Sequence, residues 1–205
     1  MKYTINRGTG VNTNLWYQMN KRFMKDFDEI IAGNITEEEL TIYVTDMLAD
    51  MKEIGDINGF LFWAYDKPGT MPSDARTEFV YEPTYIATNI LITAYCRYES
   101  IRKNEELVND FIKVLGASLG RGMVGHGYDA DEGFVNTMRI FAKGDMMQFI
   151  NKYPDVNRNF SDFIKEYALT HLEDIAFGNV KLDAFSRDCS KEAREVLEKL
   201  ASKKA

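Results

Sequence analysis

Apolar residues along this chain recur mostly at three- and four-residue intervals, the period of helices with one buried face. In residues 13–32 the stripe is Trp16, Met19, Phe23, Phe27, Ile30 and Ile31, and Gly33-Asn34 supplies a left-handed stop. The next helix has the clearest start. Thr36 is followed by Glu37, Glu38 and Glu39, a Thr-x-x-Glu capping box, and Leu40, Tyr43, Val44, Met47, Leu48 and Met51 carry the period to Gly55. Pro83 suits a first helical position, and Tyr85, Ile86, Ile90, Leu91, Ala94, Tyr95, Tyr98 and Ile101 form the most apolar helix, expected at the centre of the core. Asn104 caps a helix containing Leu107, Val108, Phe111, Ile112, Leu115 and Leu119.

Further helices are expected over 131–143, over 145–152, from Asn159 or Ser161 to Gly178, and from Ser190 onward. In the third of these Phe163, Ile164, Tyr167, Ala168, Leu172 and Ile175 are expected to face inward; in the last, Ala193, Val196, Leu197 and Leu200. The fold class predicted is all-α: one domain over 1–205, an irregular bundle of about eight helices. Helix pairs recur in the middle of the chain, a texture that resembles part of an α/α toroid, although a full toroid needs a longer chain.

Three segments interrupt the periodicity. Residues 1–12 are expected to form a flexible arm. Residues 56–82 form a long loop rich in aromatics, with the run Phe60-Leu61-Phe62-Trp63-Ala64-Tyr65, consistent with a short strand or one buried helical turn. Residues 120–130 form a joint with four glycines, Gly120, Gly122, Gly125 and Gly127.

Composition is that of a globular protein, with 45% hydrophobic and 28% charged residues among 205. The net charge of −7 argues against nucleic acid and against anionic membrane surfaces, both of which attract cations. No apolar run reaches the roughly 20 residues of a membrane span. Cys96 and Cys189 do not pair as Cys-x-x-Cys, and the chain has two histidines, so no zinc site, other metal or cofactor is expected. A reducing cytoplasm with both thiols free is the simplest expectation.

Catalytic signatures such as a nucleophile elbow, a P-loop or His-Glu-x-x-His are absent from the sequence. Gly120-x-Gly122-x-x-Gly125 has dinucleotide-loop spacing but follows a helix, whereas pyrophosphate binding needs a strand before the turn. The joint nevertheless concentrates polar chemistry. His126 and Asp129 are candidates for acid/base work, with Arg121 and Tyr128 as ligand contacts. The blander reading is a tight turn in which these residues satisfy backbone groups. From the aromatic loop and the helix after it, Trp63, Tyr85 and Glu82 are candidate ligand-binding residues, against the alternative of an apolar plug. His171, in mid-helix, receives no role.

Two functions follow as expectations. The first is a small enzyme or small-molecule binder, with a pocket where the glycine joint meets the aromatic loop. The second is a non-catalytic, acidic interaction module whose aromatics contact a partner protein or a second copy in a homo-oligomer.

Overall fold

A computed structural model describes residues 1–5, 13–54, 59–63, 80–121, 130–180 and 187–203. Helix accounts for 81% of these, and no strand occurs among them, as the hydrophobic spacing predicts. The chain divides into two compact units, Met1–Ser118 and Leu119–Ala205.

In the first unit, α1 (Thr13–Ile31), α2 (Glu37–Ile54) and α3 (Tyr81–Arg97) pack together, followed by the short α4 (Glu99–Lys103) and by α5 (Glu105–Arg121), most of which belongs to this unit. The capping box forms as read: the Glu39 N–H donates to Thr36 Oγ1 at 3.2 Å and the Thr36 N–H donates to Glu39 Oε2 at 2.9 Å. Helix α3 begins two residues before Pro83, which sits within its first turn. Every residue of α3 from Pro83 to Cys96 is buried, so it is the central helix of this unit. It ends earlier than the apolar pattern suggests. Tyr98 is extended at φ −121°, ψ 123°, and Arg102 Nη1 bonds the Tyr95 carbonyl at 2.6 Å, satisfying a terminal acceptor.

Two contacts set the relation of α1 to α3. Asn20 Nδ2 donates to Glu82 Oε2 at 2.7 Å, and Arg97 Nη1 donates to the Ile30 carbonyl at 2.8 Å. The middle of α1 meets the start of α3 and end meets end, so the two helices run in the same direction. Helical spacing from Glu82 to Arg97 places Ile86, Asn89, Ile90 and Thr93 on the same face.

The run Leu61-Phe62-Trp63 is neither strand nor helix. It is an irregular buried segment tied to the start of α3: Trp63 N–H donates to Thr84 Oγ1 at 3.0 Å and Val80 N–H to the Trp63 carbonyl at 2.7 Å. The first five residues, expected in a flexible arm, are docked. Tyr3 meets Tyr43 edge-on at 5.3 Å and its hydroxyl donates to Asp50 Oδ2 at 2.7 Å; Ile5 is buried. The Tyr3 ring and hydroxyl, the buried Ile5 side chain and the contact of the Met1 ammonium with Glu39 hold the segment down.

The second unit contains α6 (Ala130–Lys143), α7 (Met146–Lys152), a 3-10 turn (Pro154–Val156), α8 (Arg158–Asp162), a π-helical stretch (Phe163–Ala168), α9 (Leu169–Ala176) and α10 (Ser190–Ser202). Helix α10 packs on α9 and α6. The cap of α8 is Asn157, whose Oδ1 accepts from the Phe160 N–H at 3.1 Å, earlier than the expected Asn159 or Ser161. The wider π turn, closed by i→i+5 bonds, shifts the phase of the helix. Ile164, Ala168 and Leu172 point inward, whereas Tyr167, expected in the core, is 47% exposed and Phe163 is half-buried. Leu197 is likewise only half-buried.

The two units share one stop device. Gly33 (φ 80°) and Gly178 (φ 74°) end α1 and α9 in the left-handed conformation. The following Asn34 and Asn179 N–H groups reach back to the Glu29 and Asp174 carbonyls at 3.0 and 2.8 Å. An arginine then caps each helix end: Arg97 on the Ile30 carbonyl, Arg194 on the Ala176 carbonyl at 2.6 Å. A cation is favourable there because unpaired carbonyls make that end negative.

A candidate ligand pocket between α6, α9 and α10

The residues singled out by sequence have varied placements. His126, Tyr128 and Asp129 lie outside the described residues; Arg121 closes α5, with its side chain also outside them. Trp63 is fully buried, its ring edge-on to Phe23 at 6.4 Å, and its Nε1 has no hydrogen-bond partner among the described residues. Tyr85 is buried against Tyr81, ring centroids 6.4 Å apart. Trp63 and Tyr85 are thus parts of the first unit's core. Glu82 remains more than a third exposed, yet surrounding atoms push its pKa above the usual carboxylate range, opposed by the Asn20 hydrogen bond.

The second unit holds a cavity of about 390 Å³, within the range of roughly 300–1,000 Å³ common for small-molecule sites. Its wall takes Asp131 from the first turn of α6, Phe177 just after α9, Asp188 and Cys189 from the segment before α10, and Ser190 and Arg194 from α10 itself. Each reaches the cavity for a local reason. Asp131 follows the glycine joint, where an acid suits the positive end of α6. Ser190 N–H donates to Asp188 Oδ1 at 3.0 Å, which turns the chain into α10. That backbone donor, helped by the Ser190 hydroxyl, holds Asp188 below the ordinary carboxylate range, so it is ionised at neutral pH. Arg194 is held by the Ala176 carbonyl.

Behind Asp131 stands His171. Its Nε2 lies 3.3 Å from Asp131 Oδ1, its ring stacks on Tyr167 at 5.6 Å and 19°, and Phe134 meets it edge-on at 4.8 Å. Cys189, also in the cavity wall, is buried. Burial first, and then the Asp131 charge, push its thiol pKa up. A nucleophilic cysteine needs a base or cation beside it to favour the thiolate. Here a carboxylate acts on the cysteine, and the histidine is bonded to that carboxylate. That charge pattern disfavours the thiolate of Cys189. Beyond Cys189, Arg187 ties α6 to α10 through Glu132 at 2.9 Å and through Glu192. Among the described residues no group of three or more His, Cys, Asp or Glu side chains could hold a metal.

Sequence reasoning passed over His171, Cys189 and Arg194. Asp131 and His171 are forty positions apart, and no local motif links them. The available signal was the interval between the Gly178-Asn179 stop and Ser190, which carries Arg187, Asp188 and Cys189 between two helices. No protein-family model, curated protein or solved structure matches the chain. Among the described residues no helix is long and apolar enough to cross a membrane.

Proposed function

We propose that this protein binds a small polar molecule in the pocket between α6, α9 and α10. The observation that carries the reading is the cavity of about 390 Å³ lined by charges of both signs, Asp131 and Asp188 against Arg194, beside the apolar Phe177 and Ile175. Polar groups of opposite charge that converge on one concavity can fix the orientation of a polar ligand. Burial and the Asp131 charge raise the Cys189 pKa, which supports binding over thiolate chemistry at this wall.

The test is ligand-observed NMR on the full chain with a panel of amines, carboxylic acids, amino acids and phosphate esters. It is repeated with Asp131→Asn and Arg194→Gln proteins whose circular dichroism is unchanged. At least one compound should bind, and each variant should weaken it by about tenfold or more, the scale of one lost charged contact. No binder, or binders indifferent to both variants, overturns the reading. The exposed Phe177 and Tyr167 would then favour the interaction-module alternative.

A further inference from the structure

We propose that the ligand of this pocket is a small zwitterion of the amino-acid type, its ammonium held by Asp131 and its carboxylate by Arg194. The inference rests on the binding reading above and narrows it to a ligand class. Arg194 carries five N–H donors, and one of them is engaged by the Ala176 carbonyl. Among the described residues it forms no ion pair within 4.0 Å, although two carboxylates line the same cavity. Arg194 is an exposed residue at the cavity wall whose charge acts on Asp188 without an ion-pair contact, and a ligand carboxylate can take two parallel N–H bonds from it.

The opposite charge is available from Asp131. Asp188 already accepts from the Ser190 N–H. Asp131 Oδ1 faces His171, and a carboxylate with about four acceptor positions has room for an ammonium as well. A ligand that is only anionic would meet Asp131 and Asp188 as like charges. A ligand that is only cationic would meet Arg194. A zwitterion answers both, and Phe177, Ile175 and Val180 offer an apolar wall for a side chain. The volume sits at the low end of ligand pockets, which suits a single amino acid better than a peptide.

The experiment is isothermal titration of the full chain with each protein amino acid singly. For the tightest binder, the N-acetyl form (no ammonium) and the carboxamide form (no carboxylate) follow. Both blocked forms should bind about tenfold or more weakly than the parent. Asp131→Asn should narrow the preference for the parent over the N-acetyl form, and Arg194→Gln the preference over the carboxamide. Equal binding of the three forms, or tighter binding of a blocked one, overturns the proposal. So does the failure of every amino acid to bind. If the mixed panel still yields a ligand sensitive to Asp131 and Arg194, the pocket reading survives and only the zwitterion is lost; if neither experiment finds a binder, both fall.

Discussion

Asp131 on α6 lies 3.3 Å from His171 on α9, joining two helices that are distant in sequence, and the same carboxylate raises the pKa of Cys189. The acid therefore acts on both residues. In a Cys–His–Asp relay the histidine would have to act on the thiol, and the acid on the histidine alone.

The thiol state is measurable. In a Cys96→Ser background, thiolate absorbance against pH should place Cys189 above the ordinary thiol value of 9.0. Asp131→Asn should lower it without bringing it to neutrality, since burial is the larger cause. A thiolate already present at neutral pH would contradict this assignment and reopen nucleophilic chemistry at Cys189.

Helix α2 depends on its capping box. Thr36→Ala removes the hydroxyl that accepts the Glu39 N–H and should cost about 1 kcal/mol. The readout is the urea midpoint at constant m. An unchanged midpoint would mean that water replaces the cap at no loss.

Two substitutions on α3 should move stability in different directions. Leu91, 3% exposed in the central helix, should lose about 2–5 kcal/mol on change to alanine. Thr93 is fully buried and its Oγ1 has no hydrogen-bond partner among the described residues. Thr93→Val keeps the branched shape and removes that polar atom, so it should be neutral or stabilising by about 1 kcal/mol. Paired denaturant melts decide the matter, and a marked loss in Thr93→Val would show that the hydroxyl has a bound partner such as water.

Asp26 should give a pH signature. Its carboxylate is buried, accepts from Tyr43 at 3.0 Å and lies 3.3 Å from Arg22 Nε. Burial raises its pKa, outweighing those two partners. A raised folded-state pKa means the protonated form suits the native site better. The associated stability is present below the unfolded value of 3.8 and is lost as pH rises through the folded pKa. Asp26→Asn, which stays uncharged, should therefore exceed the natural protein in stability near neutral pH. The gap should shrink as pH falls and close below 3.8. A gap that widens on acidification would mean that the Arg22 and Tyr43 contacts dominate.

Local rules were readable directly from the residues. The 3.6-residue period placed α1, α2, α3, α5 and α6 because a helix exposes its burial pattern along its own sequence. Thr36, Asn104, Gly33 and Gly178 marked helix ends because each acts on backbone groups within a few residues. The central place of α3 followed from its near-continuous apolar and small-residue composition. Of the residues proposed for a site, Trp63, Tyr85 and Glu82 are described, and the first two could equally be core, because an aromatic ring suits a ligand wall and a packed interior alike.

Only the tertiary structure decided the rest. Tyr167 faces solvent because a π turn changes the phase of its helix, and i→i+5 bonding leaves no residue-type signature in the sequence. Tyr3 is docked through Tyr43 and Asp50, both far along the chain. Asp131, Cys189 and Arg194 line one cavity, with His171 against Asp131, because α10 packs against both α6 and α9. Each is unremarkable in its own stretch of sequence. Pocket chemistry depends on which side chains converge in space, and convergence between distant helices is set by packing, which no local spacing encodes.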